Sequence, residues 1–345
     1  MKVIFVGDSR RMKGGISTVM KTIESSWIWD KYHCYWLETQ VNSNKFVKLL
    51  YIVLAWVKAL YIIPQYDVVY FQTLPGIAMR LLFPIHLYAQ MWEKRIIVEL
   101  HVGNQIKDYV DDSMFQYWAK HSERFVFLGR TWEEKTKPKL PDTLKTSFLY
   151  NPVKIQTKQT NFKKYFLYAA YFNENKGCDV FLHAFAKIAR SNPDFSVVMC
   201  GTGVETYMKS ILSESAIAKL VDDKRIVFPG WIQGKKKDEY FKEAFAYCMT
   251  SYKEGLPMSV LESIANGVPV ISTPVGCLPE ILTDKESVLF FEFGNVDKLA
   301  NAMNTLVVDN SLRTKISDNA YSLASRLFDV VPVCNKLESI ILSNL

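Results

Sequence analysis

The sequence lacks the cysteine patterns that mark zinc sites and disulfide-stapled domains. No Cys-x-x-Cys occurs, and the six cysteines are scattered along the 345 residues, several of them inside apolar runs. Such cysteines are typical of reduced thiols in a cytosolic core. The start, MKVIFVGD, is too short an apolar run for a signal peptide and is followed by basic residues. We therefore expect a cytoplasmic protein that begins with a buried strand.

A complete dinucleotide-binding fingerprint is also absent. No Gly-x-Gly-x-x-Gly occurs, because GTGVET (201–206) lacks the third glycine. This argues against a nicotinamide-dependent dehydrogenase. The basic residues are spread out and accompany no nucleic-acid-binding motif, so we expect no nucleic-acid partner.

An excess of positive charge is concentrated in the first part of the chain. The net charge is +7, and residues 1–150 carry 20 Lys and Arg against 14 Asp and Glu. A mildly basic surface suits an anionic substrate or an anionic membrane. An ordinary solvated surface explains the excess equally well.

Apolar runs alternate with helix-like stretches along most of the chain. Strands are predicted at 2–7, 67–72, 95–101, 124–128, 165–170, 195–201, 225–230, 246–251 and 268–273. Apolar strands separated by helices predict parallel sheets that are covered on both faces. The pattern is interrupted near residue 150 by a polar, proline-containing stretch and then restarts. We therefore expect an α/β protein of two doubly wound domains.

The predicted boundaries follow from that interruption. We assign residues 1–153 to an N-terminal domain and residues 154–325 to a C-terminal domain. Residues 326–345 are predicted to form a C-terminal helix that packs back on the N-terminal domain.

One segment, FVKLLYIVLAWVKALYII (46–63), is apolar and long enough to span a membrane. It lies between predicted strands at 33–38 and 67–72. A helix that connects two parallel strands is the simpler explanation. Whether the outer face of this helix is buried in protein or rests on a membrane stays open from the sequence.

Two glutamates, Glu254 and Glu262, stand eight positions apart around the start of a short helix. Pro257 suits the first position of that helix, and an Asn-Gly pair ends it. Free N–H groups at residues 255–259 and the helix dipole predict a phosphate site. A carboxylate accepts two hydrogen bonds from vicinal hydroxyls, so the pair fits a nucleotide sugar. An ordinary surface-loop residue and an ordinary helix residue explain the glutamates equally well.

The segment EGLPMSVLESIANGVPVISTPVGCLPEIL resembles the E-x7-E motif of glycosyltransferase family 4, whose members are retaining enzymes of the GT-B fold. Further segments resemble this family: MKGGIST (12–18), YNPV (150–153), YAAYFNENKGCDVFLHAFAKI (168–188), VVMCGTG (197–203) and VFPGWI (227–232). The resemblance implies two Rossmann-like domains facing across a cleft. The second would bind the donor, and the acceptor would enter from the first.

The resemblance also implies roles for residues of the second domain. Glu262 would hold the ribose hydroxyls, and Glu254 would contact the transferred sugar. Lys176 would neutralise the pyrophosphate and so improve the leaving group. The other donor-binding residues that the resemblance implies there are Gly203, Trp231, Ile232, Gly255, Leu256, Pro257 and Met258.

In the first domain, the resemblance implies that Gly14 and Gly15 let a loop approach the donor phosphate and the acceptor. His101, which ends VELH, would face the donor sugar and complete a catalytic set with Glu254 and Lys176. Domain closure would bring these groups together. A purely structural histidine is the alternative for His101.

Two further features qualify the resemblance. Ala170 stands where the family usually has an arginine, so one cation of the expected phosphate-binding pair is missing. Asp-x-Asp, with which glycosyltransferases of the other major fold hold a divalent metal, does not occur. The resemblance therefore implies a metal-independent enzyme without a cofactor.

The leading hypothesis is a retaining hexosyltransferase that uses a UDP- or GDP-linked sugar and a lipid-linked saccharide acceptor in bacterial surface polysaccharide synthesis. The apolar segments 46–63 and 81–92 would give peripheral contact with the inner face of the cytoplasmic membrane. The basic neighbours expected to border these segments are Arg10, Arg11, Lys45 and Arg80. Two alternatives are a nucleotide-sugar binding protein without turnover and an epimerase or phosphorylase of the same fold.

Overall fold

The chain folds into two compact units. The computed structural model describes residues 1–158 and 161–343, and of Asn104 the backbone alone. Met1–Val153 and the C-terminal segment from Leu327 onward form the first unit, and Lys154–Arg326 form the second. Each unit is built on one six-stranded parallel sheet.

The first unit has the strand order β2-β1-β3-β4-β5-β6. These strands are β1 (Val3–Asp8), β2 (Tyr35–Gln40), β3 (Val68–Thr73), β4 (Arg95–Leu100), β5 (Arg124–Phe127) and β6 (Lys145–Phe148). The helices between them are α1 (Gly15–Glu24), α2 (Trp27–Lys31), α3 (Lys45–Ile62), α4 (Ile77–Met91), α5 (Ser113–Lys120) and α6 (Arg130–Thr136). The central strand β3 is buried along its whole length because helices cover both faces of the sheet.

The second unit has the strand order β12-β11-β10-β7-β8-β9. These strands are β7 (Tyr165–Ala169), β8 (Ser196–Cys200), β9 (Ile226–Gly230), β10 (Ala246–Met249), β11 (Val270–Ser272) and β12 (Leu289–Phe290). The helices are α7 (Cys178–Ala189), α8 (Lys209–Leu212), α9 (Ser215–Asp222), α10 (Gly234–Glu243), α11 (Met258–Ala265), α12 (Leu278–Ile281) and α13 (Val296–Val308). A continuous apolar core fills the space beneath α7 and α13.

The chain returns to the first unit at its C-terminal end. Helix α14 (Asn310–Leu327) leads to the boundary between the units, and α15 (Val330–Leu342) follows. The N–H of Val153 donates to the carbonyl oxygen of Phe328 at 2.7 Å. Arg95 Nη1 donates to the carbonyl oxygen of Ile341 at 2.9 Å. The first unit is therefore built from two separate stretches of the chain, the second of which contains α15.

All ten predicted strands, including the one at 33–38, are present within two residues of their predicted bounds. The prediction missed β6 and β12, because β6 is polar, β12 has two residues, and both lie at sheet edges. The helix predicted near 204–219 is broken. A π-helical turn, Val204–Met208, leads into α8, and the extended residue Glu214 separates α8 from α9.

Helix α3 connects β2 to β3, as the sequence predicts, but its burial is unusual. Only Ile52, Ala55 and Ala59 are buried, which leaves most of its apolar surface facing outward. The segment Lys45–Gln65 is long and apolar enough to cross a membrane, with a mean hydropathy of 2.0. Packing against the core therefore explains the apolar residues of only one stripe of α3.

A buried histidine links α4 to the core of the first unit. The ring of His86 stacks on that of Trp118, with the ring centroids 4.1 Å apart, and His86 Nε2 lies 3.1 Å from the Ser122 hydroxyl. Burial lowers the pKa of His86 to about 3. The folded protein consequently holds this imidazole neutral at pH values where the unfolded chain protonates it.

We predict that His86 makes the first unit sensitive to acid. Because the folded pKa lies below the unfolded value, the stabilisation is complete at neutral pH and is lost as the pH falls from about 6 towards 3, by at most about 1.4 kcal/mol per pH unit. His86→Phe should flatten this slope in urea unfolding at pH 7 and pH 5. The half-exposed His183 of the second unit provides the control, His183→Gln. An unchanged slope in His86→Phe would refute the assignment.

Candidate active site

The second unit reverses its winding between β7 and β10. From β7 the chain moves outward through β8 to β9, then crosses to β10 on the other side of β7 and continues to β11 and β12. Ligands of open α/β sheets bind at the carboxyl ends of the strands at such a switch point. The loops that follow β7 and β10 therefore form the candidate site, and they carry Lys176 and Glu254.

Lys176 and Glu254 form an ion pair across this switch point. Lys176 Nζ lies 2.5 Å from Glu254 Oε1, and the two side chains are 24% and 17% exposed. Partial burial makes the attraction stronger than in a fully solvated surface pair. The two residues are 78 positions apart in the chain. They meet because β7 and β10 are neighbours in the sheet.

Thr250 ties the two loops together. Its hydroxyl lies within hydrogen-bonding distance of the carbonyl oxygens of Lys176 and Gly177, at 2.7 and 2.8 Å. Gly177 has a φ of +59°, and a Cβ atom there would lie 2.4 Å from the Thr250 carbonyl oxygen. Only glycine fits this close approach, which gives a physical reason for the Lys-Gly pair.

The loop that carries Glu254 is held from its other side by a glycine that the sequence analysis did not single out. The N–H of Cys277 donates to the carbonyl oxygen of Gly255 at 2.9 Å. Gly276 has a φ of +61°, and a Cβ atom there would lie 1.9 Å from the same oxygen. Any side chain at Gly276 would therefore displace the Glu254 loop. The sequence feature that could have identified Gly276 is the PVGC stretch after β11.

Helix α11 begins one residue later than predicted. Pro257 is the residue that precedes the helix, with an extended backbone, and is not its first residue. Its carbonyl oxygen accepts the first helical hydrogen bonds, from Val260 and Leu261. The helix ends as predicted, because Gly267 has a φ of +72°. Proline is still accommodated at the start, since the N–H of that position is outside the helical ladder.

Glu262 lies in the second turn of α11 and pairs with a lysine that the sequence analysis missed. Lys237 Nζ of α10 lies 2.6 Å from Glu262 Oε1, and the glutamate side chain is 15% exposed. Burial raises the pKa of Glu262, and the positive charge of Lys237 partly offsets the rise. The GKKK start of α10 was the available signal, but three adjacent lysines did not indicate which one turns inward.

The GTG stretch follows β8 and packs against the loop after β7. Gly201 and Gly203 have φ values of +155° and +104°. A Cβ atom on Gly201 would lie 1.8 Å from the Ala170 carbonyl oxygen, and one on Gly203 would lie 2.7 Å from the Phe172 carbonyl oxygen. These glycines let the two loops touch. Ala170 thus lies at the carboxyl edge of the sheet, beside the loop that carries Lys176.

The remaining donor-binding candidates have different surroundings. Trp231 and Ile232 follow β9 and precede α10; the first is 39% exposed and the second is buried. Leu256 is buried beside the Glu254 loop. Met258 is the first residue of α11. Trp231 is therefore the member of this group that presents a large apolar surface to solvent.

In the first unit, His101 directly follows β4 and lies near two acidic residues, of which Glu99 is buried. Its Nε2 atom is 3.4 Å from Oε1 of Glu99, whose side chain is 1% exposed. Gln72 Nε2 donates to the other oxygen of Glu99 at 3.0 Å. Burial raises the pKa of Asp8, at the end of β1, and His101 partly offsets that rise. The sequence predicted the strand-end position of His101 but neither carboxyl neighbour.

The glycine loop of the first unit precedes α1. Gly14 is the residue before the helix and Gly15 is its first residue, so both lie at the helix N-terminus. A Cβ atom on Gly14 would meet nothing within 4 Å. Within residues 1–158 and 161–343, no group of three or more His, Cys, Asp and Glu side chains is arranged to hold a metal ion.

We predict that Lys237 compensates the buried charge of Glu262. Lys237→Met should lower the free energy of unfolding by about 1–3 kcal/mol, because it leaves a desolvated carboxylate without a partner. The raised pKa of Glu262 means that the protonated carboxyl is tolerated, so the loss should be larger at pH 8 than at pH 5. Urea unfolding would measure it, with exposed Lys235→Met as the control. Equal stability of both variants would show that the pair contributes nothing.

The comparisons with known proteins agree with this geometry. The model of the family described as "Glycosyl transferases group 1" matches residues 153–323. A glycosyltransferase of Haemophilus influenzae is 25% identical over 195 residues, which cover 55% of this chain and 52% of the relative. The lipopolysaccharide core biosynthesis glycosyltransferase LpsE of Rhizobium meliloti is 28% identical over 151 residues, covering 44% and 41%. The chain thus spans about half the length of such curated relatives.

Solved structures match over a longer stretch but at lower identity. HepE of Anabaena in complex with UDP has a TM-score of 0.78 and 16% identity, covering 99% of this chain and 100% of that one. The lipopolysaccharide outer core galactosyltransferase WaaB has a TM-score of 0.70 and 17% identity, with both chains fully covered. These likenesses establish the fold, two Rossmann-like domains of the GT-B type. Residues 153–323 are thus similar to the glycosyl transferases group 1 family.

Proposed function

We propose that the protein is a retaining glycosyltransferase that moves a hexose from a nucleotide-sugar donor to a saccharide acceptor. The observation that carries the proposal is the switch point of the second unit, where Lys176 and Glu254 meet and Glu262 follows on α11. The match of residues 153–323 to the glycosyl transferases group 1 family supports the reaction class.

The proposed donor site follows from the charges of the second unit. Each glutamate is paired with a lysine, Glu254 with Lys176 and Glu262 with Lys237. A diphosphate offers Lys176 two negative charges and so competes with Glu254 for it. Glu254 is then free to accept hydrogen bonds from sugar hydroxyls, and Glu262 accepts those of the ribose. Donor binding is thereby an exchange of partners within the site.

The proposed reaction proceeds on one face of the sugar. The bond between the anomeric carbon and the β-phosphate oxygen breaks, and a bond from the acceptor oxygen to that carbon forms on the same side. The leaving phosphate takes the acceptor proton. Lys176 stabilises the charge that develops on the phosphate. We propose that no metal ion or other cofactor takes part, because this lysine and the N–H groups of residues 255, 256 and 258 supply the positive potential.

The proposed donor and acceptor classes follow from the ligands and the names of similar proteins and from the chemistry of the site. HepE has been crystallised with UDP and with UDP-glucose, so a UDP-linked hexose is the first donor to test, and a GDP-linked sugar is the second. LpsE and WaaB act in lipopolysaccharide core biosynthesis by name. A lipid-linked saccharide of a surface polysaccharide pathway, met at the cytoplasmic face of the membrane, is the corresponding acceptor.

Ala170 supports a second candidate function, a nucleotide-sugar binding protein without turnover. Its place beside the Lys176 loop lacks the cation that the family resemblance implies.

Thermal-shift and calorimetric titration with UDP, GDP and their sugars would identify the donor. Release of UDP from donor with and without lipid extract then separates the functions. Acceptor-dependent release of UDP supports transfer. A changed sugar on the intact nucleotide supports an epimerase, a sugar phosphate formed from a saccharide and inorganic phosphate supports a phosphorylase, and binding without any product supports the second candidate.

We predict that Glu254→Ala lowers transfer by about 100-fold or more while leaving the melting temperature within a few degrees of the wild-type value. The reason is that Glu254, in this proposal, contacts the sugar in the transition state, while its side chain is partly exposed to solvent. Exposed Glu286→Ala, which removes a carboxylate paired with Lys315, is the matched control. Transfer by purified Glu254→Ala at the wild-type rate would overturn the assignment.

A further inference from the structure

Helices α3 and α4 present a large apolar surface to the outside of the first unit. The large apolar side chains exposed on α3 are Phe46, Leu49, Leu50, Val53, Leu54, Val57, Leu60 and Tyr61. Those exposed on α4 and directly after it are Ile77, Leu81, Leu87, Met91 and Trp92. The outer face of a surface helix in a soluble domain is ordinarily polar, and apolar patches of this extent mark interaction sites.

The outward row of α3 follows the helical period opposite its buried stripe. Ile52, Ala55 and Ala59 face the sheet, whereas Leu50, Val53 and Val57 lie on the other side of the helix. The helix is therefore apolar all round, with only 22% of its most apolar window buried. Packing within the first unit explains why the buried stripe of α3 is apolar. It does not explain why the exposed row is apolar as well.

The two helices form one continuous surface. Trp56 Nε1 of α3 donates to the carbonyl oxygen of Leu81 at 3.0 Å, and the Tyr88 hydroxyl of α4 donates to the carbonyl oxygen of Leu60 at 3.0 Å. These bonds join the helices at two points along their lengths. We refer to the exposed apolar side chains of α3 and α4, with Trp92, as the α3/α4 face.

The charges carried by α3 and α4 themselves are positive, and an exposed acid, Glu93, directly follows Trp92. Neither helix contains an aspartate or a glutamate. Lys45, Lys48 and Lys58 are exposed and make no side-chain hydrogen bond or ion pair with any residue that the structure describes. The sequence analysis also counted Arg10 and Arg80 among the bordering cations. Both are held in ion pairs, Arg10 with Glu24 and Glu38 and Arg80 with Asp112, so the lysines of α3 carry the free charge.

We propose that the α3/α4 face docks on an anionic lipid bilayer, with α3 lying in the plane of the interface. An unbroken apolar row with free lysines at its borders is typical of interfacial helices. Tyr61 and Trp92, at the ends of the two helices, match the aromatic residues enriched at the level of the headgroups. On the two helices themselves a partner meets charges of one sign only, which favours an anionic surface.

The topology argues against a membrane span. α3 joins β2 to β3, and both strands pair with β1 in one sheet. A spanning helix would place its two ends on opposite sides of a hydrocarbon core about 30 Å thick. The sheet cannot occupy both sides, and its contact with Ile52, Ala55 and Ala59 fixes α3 along its surface. The contact is therefore peripheral.

This inference deepens the proposed function by naming the surface that would bring the first unit to a lipid-linked acceptor. It rests on the proposed function only for that purpose. Lipid binding is measured without donor or turnover, so a failure here leaves donor binding by the second unit untouched. Failure of the transfer assay likewise leaves the lipid contact standing.

Co-sedimentation of the full chain with vesicles tests the proposal. We expect binding to vesicles containing phosphatidylglycerol and weaker binding to pure phosphatidylcholine. Leu50→Glu combined with Val57→Glu should weaken binding roughly tenfold or more, because it introduces charges into the inserted face. Lys48→Gln combined with Lys58→Gln should remove the preference for anionic vesicles. The control is Val308→Glu combined with Val331→Glu, which adds the same charge at exposed valines elsewhere.

Three outcomes would overturn the proposal. The first is wild-type binding by the folded Leu50→Glu, Val57→Glu variant, with folding checked by circular dichroism. The second is an absence of vesicle binding together with a wild-type dimer that this variant abolishes in light scattering; the face would then be an interface between copies. The third is membrane-expressed protein that resists alkaline carbonate and is released only by detergent, which would indicate a span. Release by carbonate supports the peripheral contact.

Discussion

The ion pair between Lys176 and Glu254 is the interaction on which the candidate site depends. It joins the loops after β7 and β10, the two strands between which the second sheet reverses its winding. Each of these partly buried charges loses solvation free energy, and only a partner at the right position offsets that loss. The two loops must therefore be held in fixed positions. The support comes from glycine: Gly177 and Gly276 allow backbone contacts that any Cβ atom would prevent. The site is thus built by close approach of loops.

The second glutamate repeats the arrangement on another element. Lys237 reaches Glu262 from α10, so both acids of the site are compensated by lysines of the same unit. This pairing helps to hold the loops in place. In the proposed donor complex the same groups would only exchange partners, so the site would be preorganised. The missing cation at Ala170 is consistent with a site whose positive charge has been redistributed.

The first unit shows a different constraint, a conflict between local sequence and exposure. α3 is long, apolar on every side and free of acids, which in sequence terms is a core or membrane helix. Its position at the surface of the sheet buries one narrow stripe of it. α3 is neither a fully buried core helix nor a membrane-spanning helix, since it connects β2 to β3 and therefore stays on the sheet. A helix that is half held by protein and half apolar to the outside is the result.

The sequence by itself determined the alternation of strands and helices, because apolar period and turn residues are local properties. It also determined the placement of the two glutamates around a short helix and the resemblance of that segment to a glycosyltransferase family. Only the tertiary structure decided that Lys176 meets Glu254 across 78 residues and that Lys237, among three adjacent lysines, turns to Glu262. It decided likewise that Glu99 and Asp8 flank His101 and that the outer row of α3 is uncovered. These features depend on which strands become neighbours in a sheet, and no local pattern encodes that order.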